Sequence, residues 1–140
     1  MRVMLDTNIL ISAFIFKSSK MNLLIEKLSK EHEIVICSYT IDELKDLIKE
    51  KFNVEYKSLD NFLSEFHYTL VYSPSEVEEK LFEIRDENDY IILHTAIIDD
   101  VDVLITGDKD FKDVDIERPE IYTPSEFLEK FLKFCGKKNR

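Results

Sequence analysis

The chain has 140 residues, 44% hydrophobic and 34% charged, with 29 acids against 19 bases and a formal net charge of -10. That length suits one domain, 1–140, able to bury roughly two-thirds of its unfolded surface, and with only 2 Gly and 3 Pro it is neither collagen-like nor low-complexity. No apolar run reaches the roughly 20 residues of a membrane span, and the acidic balance argues against a DNA binder working through a basic surface.

Val3-Met4-Leu5 opens the chain as a short apolar strand that stops at Asp6-Thr7-Asn8, three good helix-capping residues. Ile9, Leu10, Ala13 and Phe14 follow at helical spacing. Ser18 and Ser19 precede a second amphipathic helix through Leu23, Leu24 and Leu28. Ile34-Val35-Ile36-Cys37 reads as a strand ended by Ser38, and Thr40 is expected to open a helix carrying Ile41, Leu44, Leu47 and Ile48. Residues 56–67 have a helical pattern through Leu59, Phe62, Leu63 and Phe66. Thr69–Tyr72 predicts a strand, and Ser73-Pro74-Ser75 a helix through Val77, Leu81 and Ile84. Asn88-Asp89 begins a helix through Leu93, Ala96 and Ile97. Val103–Thr106 is a buried strand ending at Gly107-Asp108, and Ile121-Tyr122 is a last short one. Pro124 starts a terminal helix with Phe127, Leu128, Phe131 and Leu132, and the main basic cluster, Lys130, Lys133, Lys137, Lys138 and Arg140, lies at this C-terminal end.

Short apolar strands alternating with helices indicate an α/β domain with a mostly parallel sheet. Ligands of such sheets sit beyond the carboxyl ends of the strands, and two of these strands run into an Asp. Asp6 follows the first directly, and Asp108 follows Val103–Thr106. If those strands are neighbours, both carboxylates enter one crevice. Asp110 lies two residues on, Asp89 starts the helix just before that strand, and Glu43 lies near the start of the helix after Ile34–Cys37. Taken singly, Asp6 and Asp89 fit helix caps, Asp108 a turn, Glu43 a solvated helix acid and Asp86 a surface acid. Their joint placement is what exceeds composition. Clustered carboxylates repel unless cations compensate, and hard oxygen donors suit Mg²⁺ or Mn²⁺. Paired ions of this kind activate water and stabilise a leaving oxygen in phosphodiester cleavage. Thr7, Asn8 and Thr106 are the neutral side chains placed to orient the acids.

The motifs are also familiar. Met4-Leu5-Asp6-Thr7-Asn8-Ile9-Leu10 resembles the opening of PIN-domain ribonucleases, and Leu104-Ile105-Thr106-Gly107-Asp108-Lys109-Asp110-Phe111 resembles that family's second acidic signature. Arg85-Asp86-Glu87-Asn88-Asp89, followed by Leu93 and Ala96, resembles the third, and Ser38–Leu44 fits the helix that supplies the family's Glu. The order and spacing hold from Met1 to about Tyr122, with departures at Asp86-Glu87, where Asp-Pro is common, and at Asp99–Asp102, where a Gly-rich turn is common.

The resemblance implies a three-layer PIN-like domain, with a five-stranded mostly parallel central sheet flanked by helices. It implies a Mg²⁺- or Mn²⁺-dependent endoribonuclease, a hydrolase cutting single-stranded RNA. Asp6, Glu43, Asp89 and Asp108 would be its catalytic acids, with Asp6, Asp89, Asp108 and Asp110 toward the metal. It also implies the VapC-like toxin of a toxin–antitoxin pair. A one-residue shift in the helix would exchange Glu43 for Asp42. The alternative is a catalytically silent PIN-like module that binds RNA or protein. An acidic chain suits an antitoxin-like basic partner, and surplus apolar residues on the second and terminal helices suggest a homodimer.

Other chemistries fit less well. A haloacid-dehalogenase-type enzyme wants a second Asp where Asn8 stands, and Gly107 and Gly136 alone cannot make a P-loop or dinucleotide fingerprint. His32, His67 and His94 are not spaced as a ligand pair. The acid at Asp6 comes too early for a signal peptide, and Cys37 and Cys135 lack metal spacing, so a cytoplasmic protein with reduced thiols is expected.

Overall fold

The computed structural model describes residues 1–74 and 81–132. Five strands, β1 (Arg2–Leu5), β2 (Glu33–Cys37), β3 (Thr69–Val71), β4 (Val103–Ile105) and β5 (Glu120–Tyr122), form one sheet in the order β3-β2-β1-β4-β5, parallel throughout. Six helices pack around it: α1 (Thr7–Phe14), α2 (Ser19–Glu31), α3 (Ser38–Glu50), α4 (Tyr56–Leu63), α5 (Glu87–Ile98) and α6 (Pro124–Phe127). A 3₁₀ helix, Lys109–Asp113, follows β4, and a π-helical turn, Leu128–Leu132, continues α6.

The strands read as unbroken apolar runs because both faces of the sheet are covered. Val3, Leu5, Ile34, Ile36, Val103 and Ile105 face a core completed by Leu10, Leu24, Leu28, Leu44, Ile48, Leu59 and Phe127. Met4, Val35, Cys37, Val71 and Leu104 face the other way, onto Tyr90, Leu93 and Ala96 of α5 and onto Phe111. A one-residue slip of β1 would exchange the two sets. The result is a three-layer sandwich with α5 on one side of the sheet.

Connectivity decides where a ligand can go. From central β1 the chain steps outward through β2 to β3, then returns to place β4 on the other side of β1. The order reverses between β1 and β4, which opens a crevice at their carboxyl ends. Their register pairs Leu5 with Ile105, and the Asp6 N–H donates to the Ile105 carbonyl at 3.1 Å. Asp6 and Thr106 therefore leave the sheet side by side.

Several expected boundaries move. α3 starts at Ser38, not Thr40: Ser38 Oγ instead accepts from the Ser73 N–H at 2.9 Å, and Cys37 takes the cap position without a side-chain cap bond. Cys37 is a buried free thiol, its Sγ 3.3 Å from Thr40 Oγ1. α4 stops at Leu63, short of 67, where Ser64 Oγ turns back onto the Asn61 carbonyl at 2.7 Å. In the helix expected from Ser73 through Ile84, residues 75–80 lie outside the described residues. Residues 81–86 are not helical, because Phe82 is buried by stacking on Tyr90 at 4.4 Å and Asp86 is extended as the cap of α5. Lys133, Phe134, Cys135, Gly136, Lys137, Lys138 and Arg140 also lie outside the described residues. No helix among the described residues is long and apolar enough to cross a membrane.

Candidate metal centre

Each expected acid reaches the crevice through a different local device. Asp6 caps α1 and is 3% exposed. Its Oδ1 accepts from the Thr7 N–H at 2.8 Å, and its Oδ2 accepts from Thr106 Oγ1 at 2.7 Å. Thr106 in turn accepts from the Asp108 N–H at 3.0 Å. One buried hydroxyl thus ties the end of β1 to the loop after β4. Asp108 caps the 3₁₀ helix, accepting from the Asp110 N–H at 2.9 Å, and that turn brings Asp110 back beside it. Asp89 lies in the first turn of α5, not at its cap, a role that Asp86 fills by accepting from the Asn88 N–H at 2.9 Å.

Glu43 is joined to the group by Thr7, whose Oγ1 donates to Glu43 Oε1. Thr7 therefore serves two acids, Asp6 through its backbone and Glu43 through its side chain. That contact separates Glu43, which turns inward, from Asp42, which is exposed. Asn8, grouped with the supporting polar residues, is exposed as well.

Carboxylate oxygens of Asp89, Asp108 and Asp110 lie within 4.8 Å of one another. Asp89 is the most stressed of them. Burial, then a shared proton with Asp108 and the nearby charges of Asp108, Asp6 and Asp86, pushes its carboxyl up to about 8. Burial raises Asp6 to about 6, against the hydrogen bonds from Thr106 and Thr7 and with added repulsion from Glu43 and Asp108. Asp89 Oδ2 is buried without a hydrogen-bond partner among the described residues. An orphaned buried oxygen is costly unless something positive meets it. A hard divalent cation fits: the donors are all oxygens, carry clustered negative charge, and converge from the start of α5 and the turn after β4.

The periphery holds residues that spacing alone did not single out. Tyr39 Oη donates to Asn88 Oδ1 at 2.6 Å, bridging the starts of α3 and α5. Burial first, and then Glu43, Asp86 and Asp89, push its phenol up to about 12. Arg85 Nη2 pairs with Asp110 Oδ1 at 3.4 Å. Both residues stand inside motif segments, Tyr39 before Glu43 and Arg85 before Asp89, so their proximity was legible even though their roles were not. His94 stacks on Tyr90 at 5.6 Å, as a packing histidine would.

A family model described as a PIN domain matches residues 2–110. Among solved structures, the chain is similar to VapBC2 from Rickettsia felis bound to a DNA fragment from their promoter. The TM-score is 0.67 with 26% identity, over 87% of this chain and 97% of that one. It also shares its fold with VapBC-1 from nontypeable Haemophilus influenzae, with a TM-score of 0.59 and 22% identity over 89% and 99%. No curated protein matches the chain.

Proposed function

The chain belongs to the PIN-domain family, and from that premise we propose that it is a Mg²⁺- or Mn²⁺-dependent endoribonuclease that hydrolyses phosphodiester bonds in single-stranded RNA. The observation that carries the reading is the buried Asp89 Oδ2 without a partner, beside Asp108 and Asp110 within 4.8 Å. A divalent cation held by Asp6, Asp89, Asp108 and Asp110 would supply Lewis-acid stabilisation of charge on the phosphate and an ionised water at neutral pH.

The chain's own residues set the conditions for that chemistry. Thr106 and the Thr7 N–H hold both oxygens of Asp6 in one orientation, so this acid needs no rearrangement before reaction. Glu43, fixed by Thr7, is the acid free to take a proton from the attacking water. Clustered carboxylates select a cation over a second proton as pH rises. Beside the acids, Arg85 and Asp110 line an open cavity of about 400 Å³, the access that a polymer substrate requires.

The biological setting we propose is a toxin paired with an antitoxin-like basic protein in the cytoplasm. Support comes from the similarity to VapBC2 of Rickettsia felis and from a net charge of -10 that suits a basic partner. The test is cleavage of a mixed-sequence single-stranded RNA in EDTA, Mg²⁺ and Mn²⁺, with Asp6→Asn and Asp108→Asn in parallel. Metal-dependent cutting lost in both variants is expected. Wild-type cutting by both variants refutes the mechanism, and absence of both cutting and metal binding favours the silent binding module.

A further inference from the structure

RNA is a polyanion, and this crevice is strongly negative. Five acids converge at it, in a chain with ten more acids than bases. A substrate phosphate beyond the reach of the divalent ion therefore needs a cation that the protein supplies. Among the described residues, one ion pair involves any of the five acids, and it is Arg85 Nη2 to Asp110 Oδ1 at 3.4 Å. The Arg85 side chain is 86% exposed and that of Asp110 25%, so the guanidinium reaches in from solvent to an acid that is mostly covered. The two face an open cavity of about 400 Å³ together with Glu83, Ile84 and Asp113. Those two further acids repel any anion that Arg85 does not hold.

We propose that Arg85 is the substrate-binding cation of this site, exchanging Asp110 for a backbone phosphate of single-stranded RNA when Asp110 engages a divalent ion. The proposal rests on the nuclease reading above and deepens it. Three features of the geometry carry it. The guanidinium end of the pair is exposed, so breaking it costs a factor of about five or less in equilibrium. Arg85 immediately precedes Asp86, the cap of α5, so its backbone is anchored while its side chain is free to swing. The guanidinium fork matches two phosphate oxygens as it matches a carboxylate, which a Lys ammonium does not.

The full-length chain tests this with Arg85→Gln, Arg85→Lys and, as a neighbouring exposed cation, Lys109→Gln. Binding of a fluorescent single-stranded RNA is measured in the Asp6→Asn background, which leaves the Asp89–Asp108–Asp110 cluster whole and stops turnover. With Mn²⁺, Arg85→Gln is expected to weaken binding about tenfold, as loss of a charged hydrogen bond does. It should also flatten the salt dependence of log affinity by about 0.7, the value for one phosphate contact on a single strand. Arg85→Lys recovers part of the affinity, and Lys109→Gln changes it by less than about twofold. Without metal, where Asp110 keeps Arg85, the Arg85→Gln effect also falls below about twofold. In calorimetry with Mn²⁺ alone, Arg85→Gln binds the ion about two- to fivefold tighter, because a competitor for Asp110 is gone. In the turnover-competent protein, KM rises while kcat is nearly unchanged.

Unchanged affinity and salt slope in Arg85→Gln overturn the assignment, as does an equal loss in Lys109→Gln. If the wild-type protein cuts RNA and Arg85→Gln behaves like it, the Arg85 assignment alone falls. If the wild-type protein neither cuts nor binds RNA with metal, the nuclease reading falls and takes Arg85 with it.

Discussion

Substituting Asp6 by Asn should destroy activity while stabilising the metal-free protein, and the structure allows the size of that gain to be worked out. Asp6 is 3% exposed, and its carboxyl is raised from 3.8 to about 6. Its ionised form is therefore disfavoured in the fold by about 3 kcal/mol, at about 1.4 kcal/mol per pH unit. The native state binds more protons than the unfolded chain between pH 3.8 and about 6. Stability from this group is therefore present at low pH and lost as pH rises through that window. Asn keeps the acceptor for the Thr7 N–H and turns an amide N–H toward Thr106 Oγ1. That hydroxyl oxygen has two lone pairs, one already taken by the Asp108 N–H. The shape is retained, while the charge and the acceptor for the Thr106 hydroxyl hydrogen are removed, which sets the lower end of the gain.

The expected gain at pH 7.5 in EDTA is about 1–3 kcal/mol, or about 4–12 °C in Tm for a chain of this size. At pH 4.5, where Asp6 is protonated in the fold but still ionised in most unfolded chains, the advantage should shrink to about a third, about 1 kcal/mol, and it vanishes only below pH 3.8. Asp89 titrates in both, raised somewhat less in the variant because the Asp6 charge that helps push it up is gone. With Mn²⁺ the variant's advantage should narrow, because the wild type holds the ion with one more carboxylate; ion binding stabilises a fold by about 2.7 kcal/mol at a hundredfold excess over Kd, and the tighter binder gains more. Calorimetric melts at four pH values, with EDTA and with Mn²⁺, contain the whole comparison. If the variant melts below the wild type in EDTA at pH 7.5, or if its advantage persists undiminished at pH 4.5, the charge-repulsion account is wrong.

Three further outcomes are expected. Thr106→Val keeps the shape but removes the donor to Asp6 and the acceptor for the Asp108 N–H. It should cost about 1–3 kcal/mol at pH 7.5 and less at pH 4.5, read by thermal melts at the two pH values. Glu43→Gln should lower RNA cleavage by at least tenfold while Asp42→Asn stays near wild type, since Thr7 holds Glu43 and Asp42 is exposed; equal losses in a cleavage assay would remove Glu43 from the site. Because Asp89 is raised to about 8, Mn²⁺ binding at pH 7 should release about one proton from it, falling toward zero by pH 9. Calorimetry in buffers of different ionisation enthalpy measures this release, and its absence at pH 7 would exclude Asp89 as a ligand.

What the sequence by itself determined is local. Apolar runs ending in Asp6-Thr7-Asn8 and in Thr106-Gly107-Asp108, helix starts at Asp6, Ser18 and Pro124, and buried strands without alternation all follow from patterns a few residues long. Those patterns were enough to place five acids at strand ends and helix starts. Tertiary structure decided what no local pattern encodes. Whether β1 and β4 are neighbours depends on the return of the chain across the sheet, and only that return makes Asp6 and Asp108 share a crevice. Glu43 rather than Asp42 turns inward because Thr7, 36 residues earlier, presents its hydroxyl there. Residues 81–86 leave the helical pattern because Phe82 finds more to bury against Tyr90 than a further helical turn would offer. Asp86 is a cap because the chain arrives extended, and Arg85 meets Asp110 because the loop after β4 coils back as a 3₁₀ turn. Spacing along the chain tells which side chains share a face, whereas long-range packing decides which faces meet, and the site exists only where they do.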